Sequence, residues 1–391
     1  MWQYFKFEWR EFFTNRKNIG IYLLLLFFSL FYWLQIETQF RTIETVSSDI
    51  LQASIDTKEH FLKTVNLEGE THPDTLAAVE MFPPLVENEK KQLAAIDKHD
   101  YTTLAKERSE WYILGANFHP LYFKGGNIYA QEEAIYARNG VRTRLAAYPE
   151  TTKEVTLNMI NEKTALQSLV RGSLSLFPLI FICLGIVFSM DVIAKDRRHK
   201  SLLKGLPISF GKRMLVKYLV ALSGVLIGIL PLAVGFIGIG IQNGFGTLDL
   251  PVAISHYASN IAVMGDLVFE SITIGEFLLK VFVLTSLLVL LVVGISLILG
   301  TWVKNAYFIF ILMIGLPFIE LFYNRFGYGD IHPIRFLPTS YVQVGDVVTG
   351  HRSFFFSDIG LTFEIGVMVV GVSLCIVLVI LACHSRFKKI L

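Results

Sequence analysis

The chain has 391 residues, 53% hydrophobic and 17% charged, with a formal net charge of +2 and a mean hydropathy of +0.52. That length would hold two soluble domains, but the hydropathy excludes a purely soluble chain and points to a multi-pass membrane protein. The three cysteines, Cys183, Cys375 and Cys383, all lie in apolar runs, so no disulfide framework supports the polar regions.

Residues 1–18 mix aromatics with charge. Phe5, Trp9, Phe12 and Phe13 recur at helical spacing, with Lys6, Arg10 and Glu11 between them. The pattern predicts an amphipathic helix lying in the membrane interface. A first span follows at 19–36. It opens a series of six apolar segments: Ile19–Ile36, Leu174–Ile193, Leu215–Ile241, Phe277–Thr301, Ala306–Phe322 and Ile359–Cys383. Each is about 17–27 residues long, enough for a helix to cross the hydrocarbon core. The expected fold is an all-α polytopic membrane protein with six transmembrane helices.

The block 37–172 is the one non-membrane region of domain size. Ile43, Val46 and Ile50, then Phe61 and Val65, step at helical intervals, and a break at Pro83-Pro84 precedes Leu93, Ile96, Leu104 and Trp111. A turn-rich stretch follows over Gly115–Asn127, and Thr151, Thr152 and Glu154 after Pro149 mark a helix start. The expectation is a mainly helical domain in which two long helices leave the first span and return to the second. The block is somewhat acidic, which does not point to nucleic acid.

Residues 173–391 form the remaining five-span bundle, with a cytoplasmic loop at 194–213 and outer loops at 242–275 and 324–358. Lys and Arg fix the sidedness. The N-terminal segment, the loop from Lys195 to Lys217, Lys304 and the tail Arg386, Lys388 and Lys389 share one face, whereas Gln242–Gly275 holds no Lys or Arg. Both termini are therefore expected in the cytoplasm of a multi-pass plasma-membrane protein, with 37–172 outside. The cysteine-free outer block suits a bacterial surface. Both outer loops read as short helices that dip into the outer leaflet or cap a vestibule. In the third span Gly224 and Gly228 form a small-xxx-small pair, which leaves packing within one subunit and a subunit interface both open.

The loop from Ala194 to Lys217 is the richest constellation. A basic start precedes Leu202, Leu203 and Leu206, then Pro207 stops the segment and a second basic stretch enters the third span. A short amphipathic helix there presents an apolar face and a charged rim to the cytosol; ordinary positive-inside charge is the plain alternative. Asp196-Arg197, Ser201, Leu202-Leu203, Pro207-Ile208-Ser209 and Lys217 together resemble the type-2 ATP-binding-cassette (ABC) exporter permeases. That family has Glu where this chain has Asp196, and Gly where it has Lys200. The whole layout is similar too, and the large domain between the first two spans resembles the subset that includes lipid exporters, sodium exporters and antimicrobial-peptide immunity permeases. The resemblance implies that Asp196, Arg197, Arg198, Ser201, Leu202, Leu203, Leu206 and Pro207 form a coupling helix docking on a separate ATPase subunit. It implies that Phe5, Trp9, Arg10, Phe12 and Phe13 lie on a connecting helix touching lipid and ATPase. It further implies a homo- or heterodimer of the permease.

Other chemistry is poorly represented. Gly205 to Arg213 looks faintly like a phosphate loop but has five residues between the glycines and Arg213 where Ser or Thr holds magnesium. No cofactor is expected in this chain, with ATP and Mg on the partner. The nine histidines show no metal spacing, and no catalytic constellation stands out. Glu320, the deepest carboxylate, either lines a pathway or pairs with Arg325 one turn on. The expected cargo is lipophilic or amphipathic: lipid, peptide or drug. Two rivals remain: a membrane sensor or scaffold whose outer domain reads a ligand, and an ion-coupled secondary transporter working through Glu320 or Glu364.

Overall fold

The computed structural model describes residues 1–42, 47–69, 72–114, 128–150, 154–198, 208–319 and 334–387. In chain order its helices are α1 (Trp2–Thr14), α2 (Arg16–Phe31, continued by a π-helical turn Tyr32–Glu37), α3 (Ser48–Thr64), α4 (Pro73–Asp97), α5 (Tyr101–Leu114), α6 (Ile128–Ala147), α7 (Leu157–Ile160), α8 (Ala165–Leu174), α9 (Leu176–Ser189), α10 (Val192–Arg198), α11 (Phe210–Ile227) and α12 (Ile229–Asn243). A hairpin of β1 (Pro251–Tyr257) and β2 (Leu267–Thr273) follows. Then come α13 (Ile274–Trp302), α14 (Ala306–Gly315), α15 (Val344–Val348), α16 (His351–Phe356) and α17 (Phe363–Phe387).

Two compact units emerge. The first comprises Met1–Thr38, Leu169–Ile239 and Phe277–Leu391. Its axis is α13, whose Phe277, Leu284, Leu288, Leu291, Val293 and Leu297 are buried. Gly185 of α9 packs on Val289, Val292 and Val293, and the Tyr218 hydroxyl of α11 donates to Leu290 O at 2.9 Å. By contrast α2 leaves Leu23, Leu24 and Phe27 more than 60% exposed. Apolar surface of that extent needs an apolar surround, which a lipid bilayer supplies. Among the described residues four helices are long and apolar enough to cross a membrane: Arg16–Glu37, Phe210–Asn243, Ile274–Trp302 and Phe363–Cys383. The chain is thus a mostly helical, membrane-embedded protein.

The second expected span, 174–193, begins at a bend. The helical stretch ending at Leu174 meets α9 at 61°, and counting this pair as one span gives five among the described residues. The amphipathic α8 gives way to the apolar α9 there. The fifth expected span is described over Ala306–Phe318, an apolar helix shorter than a span. Its continuation, including Glu320, lies outside the described residues. The first span is tied at its far end by Arg171, whose Nη2 lies 2.5 Å from Oε2 of the buried Glu37.

The second unit comprises Gln39–Ser168 and Gly240–Glu276. Among the described residues it holds four long helices rather than two, with α3 against α4, α4 against α5 and α5 against α6. Helix α4 runs through Pro83-Pro84, where a break was expected. Its packing on both neighbours offsets the two missing N–H donors. Glu89, buried on α4, accepts from Lys58 Nζ of α3 at 2.7 Å and from Trp111 Nε1 of α5 at 3.0 Å. Thr156 caps α7, so the helix start lies beyond Thr151 and Thr152, which are outside the described residues, as are Ile43, Val46 and Gly115–Asn127. Gly244 and Gly246 adopt φ of +89° and +78°, and the turn brings Gly246 onto Thr164 so closely that a Cβ would meet its Oγ1 at 2.7 Å.

The loop 242–275 departs furthest from expectation. Instead of short helices it forms an antiparallel hairpin in which Val252 pairs with Ile272, Ile254 with Glu270 and His256 with Val268. In 334–358 the described elements are short helices, as expected.

Asp100 caps α5. Its Oδ1 accepts from Thr103 N at 3.0 Å and its Oδ2 from Thr103 Oγ1 at 2.6 Å, bonds that hold the carboxyl below its ordinary value. This contribution is present above the unfolded carboxylate pKa of about 3.9 and is lost as pH falls through the lower folded value. Asp100→Ala is expected to destabilise this unit by about 1 kcal/mol at neutral pH, with the difference shrinking in acid. Denaturant unfolding across pH checks both.

Candidate coupling site

Helical stride places Tyr4, Glu8 and Phe12 on one face of α1, four residues apart. All three are buried. Glu8 accepts a hydrogen bond from the Tyr4 hydroxyl and pairs with Lys217 Nζ at 2.8 Å. The same ammonium lies 2.8 Å from Oδ1 of Asp196. Lys217, only 2% exposed, thereby joins three elements: α1, α10 and α11.

The electrostatics follow from burial. Desolvation pushes the Asp196 carboxyl up from its ordinary value; Lys217 and Arg213 oppose that push and Glu8 adds to it. Desolvation and the bond to Glu8 likewise push the Tyr4 hydroxyl up. Arg213, one turn before Lys217, lies over the Phe210 ring at 5.8 Å and supplies further positive charge to the cluster.

A second clamp holds the other end of α10. Lys17 Nζ, in the first turn of α2, lies 2.9 Å from Asp191 Oδ1 and donates to Val187 O at 2.7 Å. Lys195 approaches Asp191 Oδ2 at 3.8 Å. Helix α10 is thus fixed by one lysine at its entry and by another within it. It leads directly into 199–207, which lies outside the described residues and holds Ser201, Leu202, Leu203, Leu206 and Pro207. Arg197 and Arg198 are on α10, their side chains outside the described set.

The aromatic residues of α1 divide into two sets. Phe12 faces inward, edge-on to Phe188 at 5.1 Å. Trp2, Phe5, Trp9 and Phe13 form a ladder of rings with successive centroid distances of 5.6, 5.6 and 4.8 Å. Phe5, Trp9 and Phe13 are half-buried and Arg10 is exposed. Gly224 receives Phe12: a Cβ there would stand 2.3 Å from the ring tip. Gly228 faces Leu184 and Leu25. Both glycines therefore contact helices of the same chain, which favours packing within the subunit over an interface.

No family model, curated protein or solved structure matches this chain.

What the arrangement does follows from its charges. Two carboxylates share one buried ammonium, so the cluster joins α1, α10 and α11. Sequence reasoning singled out Asp196 and Lys217 but missed Glu8, Lys17 and the lock on Asp191. The available signal was a lone acid four residues after Tyr4 and four before Phe12, on the face that α1 turns inward.

Proposed function

We propose that the chain is the membrane subunit of a type-2 ABC exporter that moves a lipophilic or amphipathic substrate, driven by a separate ATPase. The Lys217 bridge carries this reading. An ATPase that displaces the loop after α10 pulls on Asp196, and the shared ammonium passes the displacement to α1 and α11 together. Lys17 and Asp191 pass it to α2. The proposed form is a dimer of six-span subunits in a bacterial plasma membrane, both termini cytoplasmic, with the bent pair and the stretch from Ala306 completing the six. ATP and Mg are bound by the ATPase partner.

The test is co-purification of the tagged full chain from its native membranes, with photoaffinity labelling by an azido-ATP. A labelled partner is expected with the wild-type chain and a large loss of it with Leu203→Asp plus Leu206→Asp, because two carboxylates cannot be buried in an apolar groove. Absence of any nucleotide-binding partner contradicts the reading.

A further inference from the structure

Among the described residues the hairpin β1–β2 is a sheet of two strands, so each strand has an outer edge. Register decides which backbone groups face it. Ala258 N donates to Asp266 O at 2.9 Å and Ile274 N to Leu250 O at 2.8 Å, at the two ends of the ladder. Antiparallel pairs alternate, so Val268, Glu270 and Ile272 spend their N–H and C=O groups on β1. Leu267, Phe269 and Ser271 turn theirs to the outer edge, where no partner among the described residues takes them up.

The two side-chain faces of the hairpin differ. Helix α6 covers one: the Tyr136 hydroxyl and Ser255 Oγ lie 2.9 Å apart, and the Tyr136 ring is 5.1 Å from Phe269. The other face carries exposed Val268 and Glu270 beside half-buried Ile272. The hairpin's own charge has one sign. Residues 243–274 contain no Lys or Arg, while Asp249, Asp266 and Glu270 are exposed.

We propose that the outer edge of β2 is a strand-addition site for an extended peptide in which basic and apolar residues alternate. The unused N–H and C=O groups of Leu267, Phe269 and Ser271 require a matching backbone, which a peptide supplies and a lipid headgroup does not. A basic side chain opposite Glu270 and apolar ones beside Val268 and Ile272 complete the open face. A second copy of β2 sets a further carboxylate against Glu270, since Leu267–Thr273 itself carries no Lys or Arg. This site goes beyond the coupling function and its test needs no ATPase, so the two readings fail separately.

The experiment measures fluorescence anisotropy of a labelled alternating Lys-Val octapeptide with the full chain in neutral detergent micelles. A Glu-Val octapeptide and a Lys-Val octapeptide N-methylated at alternate residues serve as comparisons. Ser271→Pro removes an outward donor and leaves the β1 ladder intact; it is expected to weaken binding about tenfold or more. Glu270→Lys is expected to weaken it several-fold, and the N-methylated peptide to lose binding. If Ser271→Pro does not fold, Glu270→Lys and the N-methylated peptide decide. The proposal is overturned if the Lys-Val peptide does not bind, if either comparison peptide binds as tightly, or if both folded variants bind unchanged. It is also overturned if the edge proves to join two copies, seen as a micellar dimer that Glu270→Lys or Ser271→Pro alters and the peptide does not.

Discussion

Lys217→Met is expected to destabilise the membrane unit by about 3–5 kcal/mol, the cost of stranding buried charge. Methionine keeps the length and apolar character of the lysine stem, so the change isolates the ammonium. Glu8 and Asp196, each 2.8 Å from that ammonium, are then left facing one another with Arg213 as the remaining nearby cation. Adding Glu8→Gln to Lys217→Met should recover part of the loss, since the two changes act on one joint and cannot be additive. Thermal unfolding in micelles, followed by tryptophan fluorescence, reads both; Trp2 and Trp9 sit on α1, the helix expected to undock. A stability unchanged by Lys217→Met removes the joint from the account.

Arg171→Ala should act with similar force at the other end of the first span. Glu37 is 4% exposed and holds Arg171 at 2.5 Å. Removing the guanidinium leaves the carboxylate buried beside the last turn of that span, at a cost of about 3–5 kcal/mol. Glu37→Gln in the same chain should relieve most of it, because the amide carries no charge to desolvate. Hydrogen exchange separates the two sites: the Lys217 variant should expose α1 and α10 first, and the Arg171 variant the turn Tyr32–Glu37. Identical exchange patterns would mean that the two bridges are not independent.

The spans at 16–37, 210–243, 274–302 and 363–383 were legible because an unbroken apolar run has few alternatives to a buried helix. The bend before α9 was not, because the amphipathic α8, with Gln167 and Arg171, fell outside the apolar run that marked the span. The hairpin was hidden for a different reason. In Pro251–Tyr257 the residues Val252 and Ile254 alternate with Ala253 and Ser255, but α6 covers the more polar of these faces, so burial does not follow hydropathy. The turn from Ala258 to Gly265 also lacks an Asn-Gly or Asp-Gly pair that would announce it. Pro83-Pro84 misled because a proline pair signals a helix end only when neighbours do not hold the helix. At the candidate site the segment that holds Asp196 and Lys217 was legible from its charge. Its tie to the N-terminal helix was not, since a contact between Glu8 and Lys217, far apart in sequence, leaves no local pattern.

The central claim is that the loop after α10 is a foot on the inner face, moved by nucleotide chemistry on another chain. Its most direct test is sided labelling. With Cys183, Cys375 and Cys383 replaced, Ser201→Cys reports the loop after α10 and Asn66→Cys the second unit. With a membrane-impermeant maleimide, the account predicts that position 201 labels only in inverted vesicles and position 66 only in intact cells. Labelling of position 201 from outside intact cells would contradict it.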